Sequence, residues 1–303
     1  MKISIFYVQV WNYIKLTRVL FLLGGFLLYA LGAASAARMG FVIHWTAYLL
    51  GQVVVLSIQL MAQYLNEYQD IEVDRLSADN RAWFSGGSGM ISAGGVSPGA
   101  VLTAARICAI IAILGGILAS LCSFWMIPIV LLSLAGSWFY SAPPISLVSS
   151  GWRELTTSLI VALMVPLAGY CMQGGFPPAI LWLACLPLVL IHAAMLISFE
   201  FPDRTADLTV GKKTLAVRLG LNRAAWIVDG LIIVAFIILS ILSLFFKYPG
   251  WQIGWAIPLA IWQMVMIHRV ISSPTRFHFY ILTTGGVGLF LIASLLVIVR
   301  FIF

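Results

Sequence analysis

Two groups of polar and acidic side chains share a spacing of four residues, and each follows a long apolar run. Asn66, Asp70 and Asp74 follow the run 41–64, and Asp203 and Asp207 follow the run 178–199. On a helix such residues share one face, where like charges repel one another. A divalent cation relieves that repulsion, and oxygen ligands with few carboxylates suit Mg²⁺ shared with substrate phosphates. The pattern predicts metal-assisted chemistry on a phosphorylated substrate; for the first group alone, a solvated polar helix end is the alternative.

The two groups lie at matching positions, because Asp70 is as far from Asp203 as Asp74 is from Asp207. This register predicts two related halves, about 10–145 and 150–272, and a site where two Mg²⁺ ions clamp a diphosphate. Glu200 is a further candidate metal ligand, although Pro202 should kink or end the helix before the second motif. The basic residues expected to bind the diphosphate are Arg18, Arg75, Arg81, Arg204, Lys212 and Lys213.

The elements that position these residues are membrane helices. The chain is 62% hydrophobic and 9% charged, with a mean hydropathy of +1.06, far from a soluble protein of 303 residues. We expect no removable signal peptide, because the start has no small-residue cleavage site after a short apolar core. Runs of membrane-spanning length predict an all-α bundle of nine helices, two four-helix halves plus a ninth: 18–37, 41–64, 100–121, 123–140, 155–173, 178–199, 224–246, 252–271 and 279–301.

The charges orient this bundle. All cations except Arg38, Lys247 and Arg300 fall on the side that carries the N-terminus, so the positive-inside rule predicts a cytoplasmic N-terminus and a C-terminus on the opposite side. All acids except Asp229 lie on the same side, which that rule does not explain. The net charge of +7 is therefore interpreted as a topology signal that requires no nucleic-acid partner.

Three motifs together carry a resemblance over essentially the whole chain. NxxxDxxxD at 66–74, YSAPP at 140–144 followed by GWRE at 151–154, and DxxxDxxxGKKTLAVRLG at 203–220 resemble the UbiA-type intramembrane prenyltransferase superfamily. The resemblance implies Mg²⁺-dependent transfer of an isoprenoid from an allylic diphosphate to an acceptor, often aromatic, in a helical cavity open to the membrane lipid. FSGGSG at 84–89 and PLAGYCMQGG at 166–175 look more like the menaquinone-branch members, which act on dihydroxynaphthoate.

The resemblance also assigns roles and shows departures. It places Tyr140 beside the reacting carbon, with an interfacial tyrosine as the alternative; Arg18 could reach the diphosphate or serve only as a positive-inside anchor. Ser146 and Val148 stand where the family commonly has basic residues, and Phe199 stands where its second motif often has Asn or Asp. The catalytic set predicted in this way comprises Asp70, Asp74, Asp203, Asp207 and Tyr140.

Two other functions fit parts of the pattern. A membrane terpene cyclase would use the same ionisation of a diphosphate, and a transporter could use an internal repeat with acids on helix ends. Transport sites favour the bilayer midplane, whereas these acids lie at the ends of the apolar runs. The glycines of FSGGSG could form a lid over phosphate or a plain hinge loop, and His192, inside an apolar run, is expected to be a hydrogen-bonded structural residue.

Overall fold

The computed structural model describes residues 2–77, 84–85, 87–147, 151–245 and 254–302, and within them the regular structure is helical. The helices are α1 (Lys2–Thr17), α2 (Val19–Arg38), α3 (Trp45–Gln69), α4 (Ile71–Leu76), α5 (Pro98–Cys122), α6 (Met126–Ser141), α7 (Arg153–Leu159), α8 (Val165–Cys171), α9 (Ala179–Thr209), α10 (Leu215–Leu219), α11 (Leu221–Phe245), α12 (Ile257–Ser272) and α13 (Arg276–Ile302). A π-helical turn, Ile160–Met164, joins α7 to α8.

Seven helical segments of the described chain are long and apolar enough to cross a membrane: α2, α3, α5, the continuous α7–α8 segment, α9, α11 and α13. The shorter apolar helices α6 and α12 overlap the predicted fourth and eighth runs. The all-helical class is thus confirmed, while the count of nine spans and the division into two halves stay predictions. Two helices were not predicted: α1, which precedes the first apolar run, and the short α10, which lies between the sixth and seventh runs.

The helix α9 lies at the centre of the bundle. It packs against α11, α13 and α7, while α2 packs on α8 and α3 on α5. Small residues allow the α2–α8 contact, since a Cβ at Gly32 would overlap the carbonyl oxygen of Pro166 and one at Gly169 would overlap that of Tyr29. Close backbone approach at small residues is a usual way for membrane helices to associate.

The first polar motif stays on a nearly continuous helical path. Asp70 lies between α3 and α4, its N–H donates to the carbonyl of Asn66 at 2.9 Å, and the N–H of Asp74 donates to the carbonyl of Asp70 at 2.8 Å. These bonds preserve the helical spacing across the junction. Asn66, Asp70 and Asp74 therefore keep the common face that the sequence predicted.

The expectation that Pro202 ends the helix before the second motif is wrong, while a kink at this position stays a prediction. The helix α9 continues through both Pro187 and Pro202 to Thr209. Proline lacks the N–H that would bond to the carbonyl of Ser198, but Pro202 is buried among neighbouring helices, and packing of this kind lets membrane helices tolerate proline. Glu200, Asp203 and Asp207 consequently belong to one unbroken helix.

Candidate active site

A cavity of about 250 Å³ lies inside the bundle, and its lining includes Asn66 of the first motif but none of the aspartates of the two motifs. Its mouth is lined by polar residues that include Asn66, Glu67 and Tyr140, and its deep end by apolar residues such as Val54 and Met126. Between Tyr140 and Met126, α6 rises by about 20 Å, so the cavity reaches well into the apolar part of the bundle. The walls are built by α2, α3, α6, the α7–α8 segment, α9 and α13.

One lysine connects the two acidic motifs. Lys212 Nζ lies 2.7 Å from Asp70 Oδ1 and 3.9 Å from Asp207 Oδ1. The backbone N–H of Lys212 also donates to the carbonyl of Asp207 at 2.9 Å, and Thr214 Oγ1 lies 3.5 Å from Asp207 Oδ2. Carboxylates from the first and the second motif therefore converge on a single positive charge.

A glycine-containing loop covers the carboxylate of Asp74. Gly87 has a φ of +61°, and a Cβ at this position would overlap the Asp74 carboxylate. Next to it, Ser88 donates twice to Glu67, from its N–H to Oε1 at 2.7 Å and from its hydroxyl to Oε2 at 2.5 Å. Only glycine combines this left-handed conformation with such a close approach. The choice between a lid over phosphate and a plain hinge loop stays open, and the contact shows only that Gly87 packs against Asp74.

Arg18 approaches the same carboxylates from the other side. It has a φ of 46° between α1 and α2, its Nη1 lies 3.9 Å from Glu67 Oε1, and its guanidinium lies 4.4 Å from the Phe21 ring centre. Burial lowers the pKa of Arg18, and the charges of Glu67, Asp74 and Asp203 oppose that shift. The prediction that Arg18 reaches the site is consistent with this position.

Aromatic rings close the upper part of the cavity. Phe84 and Phe199 lie nearly parallel, with ring centres 6.3 Å apart, and Phe21 meets Phe84 edge-on at 5.4 Å. Tyr140 lines the cavity opposite them. These faces surround the space directly below the carboxylates, where a reacting group would sit.

The remaining predicted metal ligands are placed differently from one another. Asn66 lines the cavity, and its Oδ1 accepts a hydrogen bond from the Ser141 hydroxyl at 3.3 Å. Glu200, 1% exposed, accepts the Ala216 N–H at 2.9 Å and so points toward α10. The structure does not bring Glu200 to the carboxylates that share Lys212, and its role as a ligand stays a prediction.

The other predicted diphosphate contacts are not gathered at the cavity. Arg75 and Lys213 are exposed, and Arg204 Nε donates to the carbonyl of Ala216 at 3.1 Å, which attaches α9 to α10. Arg81, together with Val148, lies outside the described residues. The diphosphate-binding role of these four basic residues stays a prediction.

Sequence reasoning missed two residues at the cavity mouth. Glu67, next to Asn66, holds the Ser88 loop, and Arg153 places its guanidinium 5.9 Å from the Tyr140 ring centre. The signals were present, because Glu67 is adjacent to the first motif and Arg153 belongs to GWRE. His192 was interpreted correctly as hydrogen-bonded, since its Nδ1 lies 3.0 Å from the Ser158 hydroxyl. It also lines the cavity.

Two of the predicted ligands, Asp70 and Asp207, are arranged in a way that suits a divalent cation. No group of three or more His, Cys, Asp or Glu side chains in the described part of the chain is arranged to hold a metal ion. Asp70 and Asp207 nevertheless face a common cation, the Lys212 ammonium. Because Mg²⁺ usually takes one or two carboxylates and completes its shell with water and phosphate oxygens, such a pair suits a metal that binds together with its substrate.

In this arrangement hydrophobic helices enclose a largely apolar cavity, with carboxylates and cations near its polar end. The UbiA prenyltransferase family model matches residues 19–278. The chain therefore belongs to the UbiA prenyltransferase family and is a prenyltransferase.

Proteins with a similar sequence and solved structures with a similar fold support this assignment. The chain is 28% identical over 217 residues to a 1,4-dihydroxy-2-naphthoate octaprenyltransferase from Mycobacterium tuberculosis, covering 70% of this chain and 71% of that protein. It is 27% identical over 286 residues to a digeranylgeranylglyceryl phosphate synthase from Sulfurisphaera tokodaii, covering 88% and 94%. Its fold is similar to that of a UbiA homolog from Archaeoglobus fulgidus bound to DMAPP and Mg²⁺, with a TM-score of 0.59, 18% identity and coverage of 92% and 99%.

We predict that Gly87→Ala lowers turnover by about a hundredfold, because its methyl group displaces the Asp74 carboxylate from the reacting geometry. Gly94→Ala is the matched control: it also has a positive φ, +72°, but nothing lies within 4 Å of its Cβ. Both variants carry the same kind of backbone strain, so their thermal unfolding should change alike while only Gly87→Ala loses activity. Equal turnover of the two variants would contradict the proposed contact.

Proposed function

We propose that this prenyltransferase moves an isoprenoid chain from an allylic diphosphate to an aromatic, quinone-precursor-like acceptor, with Mg²⁺ bound at the carboxylates of the two motifs. The observation that carries the proposal is the convergence of Asp70 and Asp207 on Lys212 above a deep apolar cavity. The carboxylates and cations suit the metal–diphosphate head, and the cavity suits the isoprenoid chain. The Mg²⁺ and DMAPP of the Archaeoglobus homolog support the same pairing.

The roles of the side chains follow from their charges. Bound Mg²⁺ would neutralise the charge that grows on the leaving diphosphate as the allylic C–O bond breaks. Asp70 and Asp74 would hold one ion and Asp203 and Asp207 a second. Lys212 would then turn from the carboxylates toward the diphosphate oxygens, where its charge stabilises the departing group.

The cavity determines what happens to the allylic cation. Phe21, Phe84, Phe199 and Tyr140 line the space below the carboxylates, and aromatic faces attract a positive charge. The apolar wall keeps water away from the cation, so that the acceptor, and not water, forms the new bond. The transfer breaks the allylic C–O bond and forms a bond between the isoprenoid and the acceptor. Diphosphate leaves from the donor, and a proton leaves from the acceptor.

The nature of the acceptor rests on the relatives. The name of the Mycobacterium protein specifies a dihydroxynaphthoate, and that of the Sulfurisphaera protein specifies a glyceryl phosphate. Because FSGGSG and PLAGYCMQGG look like menaquinone-branch sequences, we propose the naphthoate type and a place in menaquinone biosynthesis. The acids at the cavity mouth, at the ends of α3 and α9, argue against a transporter with a midplane site.

We predict that the purified protein releases diphosphate from an isoprenoid diphosphate only when Mg²⁺ or Mn²⁺ and a dihydroxynaphthoate acceptor are both present. EDTA should abolish the reaction, because without metal the carboxylates repel the diphosphate. The measurement is product formation by mass spectrometry together with diphosphate release. Release without acceptor would indicate cyclisation or hydrolysis, and no release with any acceptor would favour transport.

We predict that Asp70→Asn and Asp203→Asn each lower turnover by orders of magnitude, and that the double variant costs little more than the worse single one. The ions and the diphosphate act as a unit, so the losses should not add. Glu72→Gln is the matched control, since Glu72 is exposed beside the first motif and should leave turnover near that of the wild type. Near-normal turnover of Asp203→Asn beside an inactive Asp70→Asn would contradict two bridged ions.

We propose that the site faces the cytoplasm, because the cations gather at that end of the bundle. Ala93→Cys and Thr209→Cys, both exposed near the motifs, should react with an impermeant maleimide only in inverted vesicles once Cys108, Cys171 and Cys185 are replaced. Cys122, exposed at the far end of α5, is the internal control and should react only in right-side-out vesicles. The reverse labelling pattern would overturn the orientation.

A further inference from the structure

Arg153 lines the cavity and has one buried N–H donor without a partner. It is the first residue of α7, it lines the cavity mouth, and its side chain is 17% exposed. Its Nε is buried and has no hydrogen-bond partner, and its closest carboxylate oxygen, Glu154 Oε1, lies 4.0 Å away. A guanidinium carries five N–H donors, and leaving such donors unpaired away from water is costly.

The carboxylates near Arg153 do not complete its hydrogen bonding. The carboxyl groups of Glu154 and Glu200 lie close enough to share a proton in a hydrogen bond, and Oε2 of Glu200 also accepts the Ala216 N–H. Both acids, and Asp207, lie close enough to interact with the charge of Arg153. They keep the cation at this position electrostatically, while its buried Nε–H has no hydrogen-bond partner.

Lys212 and Arg204 have defined partners, whereas Arg18, like Arg153, has a buried guanidinium nitrogen, Nη2, without a hydrogen-bond partner. Lys212 is bound to Asp70, and Arg204 donates to Ala216. Arg18 interacts with Asp74 and Asp203, whereas Arg153 interacts with Asp207; both interact with Tyr140. The two guanidiniums thus interact with the charges of different carboxylates of the two motifs.

We propose that Arg153 is a substrate-binding residue that forms charge-assisted, bidentate hydrogen bonds with a substrate oxyanion at the cavity mouth. Planar guanidinium matches carboxylate and phosphate oxygens in this way. The oxyanion is either the diphosphate of the isoprenoid donor or the acid group of the acceptor, so the assignment rests on the proposed function. In both cases Arg153, at the start of α7, adds a positive charge to those of the basic residues near the two acidic motifs.

Binding measurements without turnover test this assignment. Isothermal titration calorimetry of the detergent-solubilised protein uses three probes: inorganic pyrophosphate with Mg²⁺, hydroxynaphthoate, and the corresponding naphthol, which lacks the carboxylate. The variants are Arg153→Gln, Arg153→Lys and, as matched control, Arg223→Gln, which removes an exposed arginine on α11. Thermal unfolding of each variant verifies that it is folded.

We predict that Arg153→Gln weakens the binding of pyrophosphate or of hydroxynaphthoate by about ten- to a hundredfold, the usual effect of losing hydrogen bonds to a charged group. Arg153→Lys should restore part of the affinity, because it keeps the charge but loses the planar fork. Loss of pyrophosphate binding alone identifies the donor as the source, and loss of hydroxynaphthoate binding with unchanged naphthol binding identifies the acceptor. Arg223→Gln should bind all probes as the wild type does.

Two further results distinguish a binding role of Arg153 from a purely structural one, and failure of this assignment from failure of the proposed function. Glu154→Gln removes the nearest carboxylate but leaves the cation, so it should bind the oxyanion probes at least as tightly as the wild type. Wild-type affinity of Arg153→Gln for both oxyanions, or no binding of either by the wild type, overturns the assignment. If oxyanion binding depends on Arg153 but the wild type transfers no isoprenoid, the proposed reaction fails while the binding residue stands.

Discussion

The ion pair between Lys212 and the two acidic motifs is the contact on which the arrangement of the site depends. Asp70, Asp74 and Asp207 are all more than nine-tenths buried, and uncompensated carboxylates in such surroundings carry a large desolvation cost. Lys212 offsets part of it by lying between Asp70 and Asp207. Because Lys212 follows α9 directly and Asp70 ends α3, the same contact fixes the ends of two helices that are far apart in the sequence.

The position of these charges also divides the cavity into two chemically different parts. Charged groups occur near the mouth, whereas the deeper lining is mainly apolar, with Val54, Met126 and Ala168, and includes the polar residues Ser133 and His192. A charged head can exchange its hydration for metal and hydrogen bonds only at the mouth, while the apolar cavity receives an isoprenoid chain from equally apolar lipid and holds it by close packing. A substrate with a charged head and an isoprenoid chain is therefore held in one orientation. Its reactive carbon then lies where the polar part of the cavity meets the apolar part.

The sequence predicted the helical class and the approximate ends of most helices, because long apolar runs are strong local signals. It also predicted that Asn66, Asp70 and Asp74 share a face, because helical spacing is local. It did not predict continuity through Pro202, since tolerance of proline depends on the packing around it. It missed the partners of Glu67 and the environment of Arg153 for the same reason: Ser88 and Tyr140 come to them from other segments, and no local pattern encodes those contacts.

The two acidic motifs differ at one matching position, where the first has Asn66 and the second has Phe199. Asn66 precedes the first pair of carboxylates and lines the cavity, but the matching position in α9 is Phe199, whose ring lies nearly parallel to Phe84. The adjacent Glu200 points away, toward Ala216. The first motif thus offers an amide oxygen and two carboxylates, and the second offers two carboxylates above an apolar ring. Such an asymmetric mouth suits a reaction in which charge builds on one side of the breaking bond, at the diphosphate, while the carbon side needs a dry aromatic surface.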